Sequence, residues 1–288
     1  MRTSNPILSR RNFSRDSGQV DDAERQPVGV VTGSPWAGDH LTNPYATDRR
    51  LSLVKDAQPA ASAMTMDDVV VRTATSLGTV VLAAALSWVL LPVDSAHIGR
   101  SYGIAAGAAV IAFALSLIQA FRRTPSPTLI LGYAAFEGIF LGGVSNATST
   151  YLAPGVVIQA VLGTFAVSAG VLVAYRLRWI RVNRRFVGFV GAAMTGFLLL
   201  VVADVLLSAF GAGAGLGFDS GGLGVVFGVA GILLGASFLA LDFKQVEDAI
   251  AYGAPREESW VAAFGLTTTL VWIYLEALRV LTILNRED

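Results

Sequence analysis

The chain has 288 residues, 53% of them hydrophobic and 15% charged, with a mean hydropathy of +0.59 and a net charge of zero at pH 7. A soluble domain carries about 25% charged residues, so this balance marks an integral membrane protein and excludes a basic nucleic-acid-binding domain. With no cysteine, a disulfide framework, a thiolate metal site and a thiol nucleophile are all excluded.

Residues 1–66 are polar and charged, without sustained periodicity and without the apolar core of a cleaved signal peptide. They read as a disordered cytoplasmic tail, and residues 67–288 as the membrane domain. Seven apolar runs long enough to cross the hydrocarbon layer lie near 69–91, 99–121, 127–150, 154–175, 186–210, 222–243 and 259–284. Thr65-Met-Asp-Asp68 predicts the first helix start, with a capping hydroxyl and acids in the first turn. Pro92, Pro125, Pro127, Pro154 and Pro255 punctuate the connections. Arg and Lys collect at alternate span ends, at Arg49 to Arg72, at Arg122 and Arg123, from Arg176 to Arg185, and at Lys244 and Arg256. The opposite ends keep Arg100, Arg279 and Arg286, which predicts a cytoplasmic N-terminus. Gly103 with Gly107, Gly138 with Gly142, Gly224 with Gly228, and Gly231 with Gly235 have the spacing of close helix contacts in lipid.

Acids inside such runs need a reason, since an aspartate at the centre of a membrane helix costs about 2.5–3.5 kcal/mol on insertion scales. Asp242 follows Gly224 by 18 residues, five full helical turns, and so shares the face of the glycine stripe and points into the bundle. Glu276 shares a face with Gly265 and Thr269 and has Arg279 three residues on, which allows a local ion pair. The bland alternative for Asp242 is a position near the span end, reaching water beside Lys244. Two carboxylates brought together in a low-dielectric interior cannot both ionise cheaply, and such a pair would be a proton-sensitive switch. With a turn near Gly253, however, Asp242 would lie about 16 Å before it and Glu276 about 35 Å after it, at different depths; they level only if the turn falls near Glu258 or the segment is irregular, and Glu247, Asp248 or Glu258 could then take part.

Glu137 is about ten residues into the third span, roughly 15 Å deep, either a hydrogen-bonded helix tie or an ion or proton relay. Asp204 lies nearer the outer end of the fifth span as a second candidate for an ion pathway, and His40 and His97 read as exposed histidines. No His-Glu-x-x-His, Gly-x-Ser-x-Gly or phosphate-loop motif is present, so the expectation is a protein that is not an enzyme and needs no cofactor. The glycine-rich stretch 211–224 reads as a flexible outer connection.

Glu137-Gly138 with its apolar helix, Leu241-Asp-Phe-Lys-Gln-Val246 and Ile273-Tyr-Leu-Glu-Ala-Leu-Arg279 resemble the Bax inhibitor family, the transmembrane Bax inhibitor motif proteins, in a bacterial YccA-like branch. The resemblance spans about residues 65–284. It implies an all-α seven-helix membrane bundle with the last helix central, and a pH-sensitive calcium leak gated by Asp242 and Glu276, which would also be the ligands if calcium binds. Arg122 or Arg123 resembles the arginine that pairs with the acids in the closed state. Glu276 departs from the aspartate usual at its position. The expected setting is a bacterial inner membrane, with the lipid bilayer as partner and calcium as a transported ion. The alternatives are an interaction protein that restrains a membrane protease, or a proton-coupled transporter.

Overall fold

The computed structural model describes residues 63–92, 98–122, 124–152, 154–210, 215–218 and 220–287, all within one unit, Gln58–Asp288. The tail expected over residues 1–66 thus falls almost wholly outside the described residues, as do Arg123, His40 and His97.

Seven helices long and apolar enough to cross a membrane account for the bundle: α1 (Met66–Leu90), α2 (Ile98–Phe121), α3 (Pro127–Tyr151), α4 (Val156–Arg176), α5 (Arg184–Ala209), α6 (Gly221–Ala251) and α7 (Ser259–Glu287). A single 3₁₀ turn, Arg256–Glu258, joins the last two, and no strand occurs among the described residues. α1 begins where the capping signal predicts. The Thr65 hydroxyl accepts from the Asp68 N–H at 3.2 Å, and the Asp68 carboxylate accepts in return from the Thr65 N–H at 3.3 Å. Pro127 opens α3 at a position where a missing N–H costs nothing.

The order of packing makes α7 the central helix: it touches α1, α3, α4 and α6, whereas α2 packs on α3 and α5 on α6. Two glycines explain how α3 meets α1. A β-carbon at Gly138 or Gly142 would collide with the backbone carbonyl of Val80 or Ala84, so only glycine lets the helices approach this closely. Gly103 and Gly107 do not serve this purpose. Nothing lies within 4 Å of a β-carbon built at either, because α2 turns that face outward and meets α3 through residues such as Ala105, against Gly143.

The sixth helix runs eight residues beyond its apolar stretch, to Ala251 rather than 243. Its extra turns carry charges that satisfy one another: Lys244 Nζ binds Asp248 at 2.5 Å, an i,i+4 pair, and the Tyr175 hydroxyl on α4 donates to Glu247. Asp242 is therefore nine residues inside the helix, about 14 Å from its end, while it stands at the end of the apolar stretch, two residues before Lys244. At the other end, Gly221–Gly224 belong to the helix, so the glycine-rich connection is shorter than its composition suggests.

The reversal between α6 and α7 occurs at Gly253, whose φ of 68° is left-handed and suits glycine. A clamp from α1 holds it. Met64 N–H donates to the Ala254 carbonyl at 2.8 Å, Arg256 Nε binds Asp68 at 2.7 Å, and Arg72 donates to the Arg256 carbonyl and to Ser259 while stacking over Trp260. Arg72, an arginine in the second turn of an apolar helix, is the sequence signal for this clamp.

Candidate functional site on the last two helices

The antiparallel contact of α6 with α7 is a glycine zipper read against large side chains. Gly224 lies against Ile283, Gly228 against Val280, Gly231 against Glu276 and Gly235 against Ile273. The stripe expected to face the bundle does so, and Asp242 continues it. Asp242 Oδ2 accepts from the Thr269 hydroxyl at 2.7 Å, and a β-carbon at Gly265 would stand 3.3 Å from Asp242 Oδ1. Each acid occupies the small-residue notch of the other helix: Asp242 the one at Gly265 and Thr269, Glu276 the one at Gly231.

The two acids do not meet. Glu276 lies level with Gly231, eleven residues before Asp242 on α6, which separates them along the interface by about 16 Å. With the chain reversing at Gly253, the helical rise alone imposes this offset.

Their surroundings differ as much as their depths. Glu276 is 8% exposed, and Arg279 Nη2 approaches its Oε2 at 3.1 Å. Arg279 also lies 5.2 Å over the ring of Phe227, which stacks on Phe197 and Phe218. Trp272 closes the same region by donating to the Gly231 carbonyl at 3.1 Å. The Glu276–Arg279 pair is thus sealed behind aromatic rings, while Glu276 Oε2, Arg279 Nε and Arg279 Nη2 lack well-formed hydrogen bonds.

Asp242 is half-buried and opens on a cavity of about 330 Å³ between α6 and α7. Its lining climbs from Ala254 and Pro255 at the connection through Glu258 and Gln245 to Asp242 and Gly265, with Met64 of the α1 clamp in the wall. Asp242 is therefore the carboxylate reached from the hairpin side, with Glu258 on the way.

Glu137 stands on another flank of α7. On its helix, Tyr133 packs edge-on against Phe264 at 5.1 Å between centroids, and the Ser145 hydroxyl is 2.6 Å from that of Tyr274. Glu137, one turn after Tyr133, falls in the same sector of α3 and level with about Thr268, next to the threonine that holds Asp242. The acid closest in depth to Asp242 is thus Glu137, not Glu276.

Asp204, 9% exposed near the end of α5, accepts from the Leu216 N–H at 2.6 Å and secures the connection to α6. Among the described residues it is brought to none of the other candidate acids, Glu137, Asp242 and Glu276. Arg122 is exposed just past α2 and makes no ion pair among the described residues; α2 packs on α3, not on the α6–α7 pair. Gln245 and Tyr133, both in the immediate surroundings, carry no signal in the sequence, since an uncharged side chain in an apolar run is recognised only by what faces it.

The Bax inhibitor 1 like family model matches residues 5–286. The chain belongs to that family. No curated protein matches it. In this Bax inhibitor 1 like protein the seven-helix membrane bundle and the central last helix agree with the resemblance carried by the Glu137, Asp242 and Glu276 segments, and its multi-pass membrane character follows from seven spanning-length helices.

Proposed function

We propose that the protein is a pH-sensitive cation leak, with calcium as the transported ion, in a bacterial inner membrane. The observation that carries this reading is the cavity that runs from the α6–α7 connection to Asp242. A half-buried carboxylate at the head of a crevice suits a hard cation, which takes oxygen ligands, and can exchange protons with water.

In this reading the gate has two levels on α7. At the first, Asp242 is held by Thr269, and Glu137 of α3 stands at about the same level of α7. Asp242 makes no ion pair with a Lys or Arg side chain among the described residues, so charge there favours water and a loosened α6–α7 contact; the protonated acid favours the closed one. At the second, the Glu276–Arg279 pair behind Phe227 blocks the remaining path, and α6 must move from α7 at Gly231 for an ion to pass.

Calcium flux into liposomes holding the purified protein, measured from acidic to alkaline pH, tests this. Wild type is expected to leak with a pH-dependent rate, Asp242→Asn to lose most of that dependence, and Glu276→Gln to change the basal rate. Absence of flux, or a pH response that both substitutions leave intact, would sink the channel reading. Protease restraint and proton-coupled transport would then be the roles to pursue, the first by crosslinking in native membranes.

A further inference from the structure

On the side of the bundle where α4 ends, two cavities share a wall. One, of about 450 Å³, is lined by Arg176, Arg178, Arg181 and Lys244, together with Tyr175 and Glu247. The other, of about 600 Å³, is an apolar groove between α1, α4, α6 and α7, formed by Val69, Thr73, Leu77, Leu172, Phe243 and Leu266. Tyr175, Arg176 and Glu247 line both.

The charge balance of the first cavity is positive. Lys244 is paired with Asp248, and Glu247 accepts from the Tyr175 hydroxyl, whereas none of the three arginines has an ion pair among the described residues. Their convergence is built by an uncommon backbone. Arg178 has a φ of 59°, in the left-handed region that favours glycine, where it ends α4; Arg178 N–H bonds to the Tyr175 carbonyl at 3.0 Å, and Trp179 N–H to that of Ala174 at 2.9 Å. Trp179 next to it is 77% exposed, as suits a residue at a membrane–water boundary.

We propose that the two cavities form one binding site for an anionic phospholipid, its phosphate held by Arg176, Arg178 and Arg181 and an acyl chain laid in the groove beside Leu172 and Phe243. A basic pocket opening into an apolar groove matches both halves of such a molecule. The contrast within the same bundle supports the assignment: a second apolar groove of about 540 Å³, beside Trp88 and Phe165, has no charged residue in its lining and offers nothing for a headgroup. The site ties α4 to α6, so bound lipid would hold together the two helices that Tyr175 and Glu247 already join.

Native mass spectrometry of the full chain in detergent tests the proposal, with phosphatidylglycerol, phosphatidylcholine or inorganic phosphate added. Phosphatidylglycerol is expected to be retained, one per chain, about tenfold more than phosphatidylcholine, and Arg176→Gln/Arg178→Gln to abolish most of that preference. Leu172→Trp, which fills the groove, should reduce retention while the arginines remain. Arg181→Gln, outside the helices, gives a milder test with a partial loss should the double variant not fold. Equal retention of both lipids, a preference that survives the arginine substitutions, or displacement of phosphatidylglycerol by inorganic phosphate at equal concentration would each overturn the proposal.

Discussion

The carboxyl group of Glu276 on α7 rests on Gly231 of α6, so closely that a β-carbon at position 231 would come within 2.7 Å of the carboxyl carbon. A methyl group there must displace Glu276 or part the helices. Gly231→Ala is expected to destabilise the protein by about 1–3 kcal/mol, as overpacking of a tight contact does. Gly107→Ala, with open space around it, should instead be neutral or stabilising by about 0.5–1 kcal/mol, as glycine is a poor helix former. Denaturation midpoints in detergent compare the two directly, and equal effects would refute the close seat of Glu276.

Arg279 is the counter-charge that makes Glu276 tolerable at 8% exposure. Removing it alone should cost about 3–5 kcal/mol, because a buried carboxylate is left without a partner. Arg279→Gln combined with Glu276→Gln should recover most of that loss. A double-mutant cycle measures the coupling, and strictly additive effects would show that the pair contributes no interaction.

At the other level, the Thr269 hydroxyl is the hydrogen-bond donor to Asp242. Thr269→Val keeps the shape but removes the donor, with an expected cost of about 1–3 kcal/mol. Asp242→Asn retains an oxygen able to accept from Thr269 and should fold with smaller loss. If the pH response of flux resides in Asp242, it should vanish in Asp242→Asn and persist, shifted, in Thr269→Val.

Access to Asp242 from the hairpin side is open to a chemical test, since the chain has no cysteine of its own. Ala262→Cys, in the cavity wall, should react with a water-soluble thiol reagent, whereas Thr267→Cys, fully buried, should not. Arg256→Gln breaks the ion pair with Asp68, in which the arginine side chain is 57% and the aspartate 11% exposed, and its stability cost should be small beside that of Arg279→Gln. Labelling of Ala262→Cys should nonetheless accelerate, because that pair helps hold the connection at the cavity mouth. An unreactive cysteine at 262 would mean that water does not reach the cavity.

What the sequence determined by itself follows from local physics. Runs of apolar residues matched to the bilayer set the seven helices, Thr65 and Asp68 set the start of α1, and the i+3 and i+4 spacing of Gly224, Gly228, Gly231 and Gly235 set the face that carries Asp242 into the bundle. The offset of Asp242 from Glu276 was legible for a turn at Gly253, because helical rise is a local quantity, and the structure puts the turn there and not near Glu258.

Tertiary structure decided the partners. Asp242 meets Thr269, Glu137 comes level with it, Arg72 grips the α6–α7 connection, and Asp204 holds the backbone at Leu216, because contacts between helices depend on which faces turn together across long stretches of chain. Spacing along one helix cannot specify that choice. Gly103 and Gly107 make the point: their interval is the same as that of Gly138 and Gly142, yet α2 shows that face to open space while α3 presses its own against the backbone of α1.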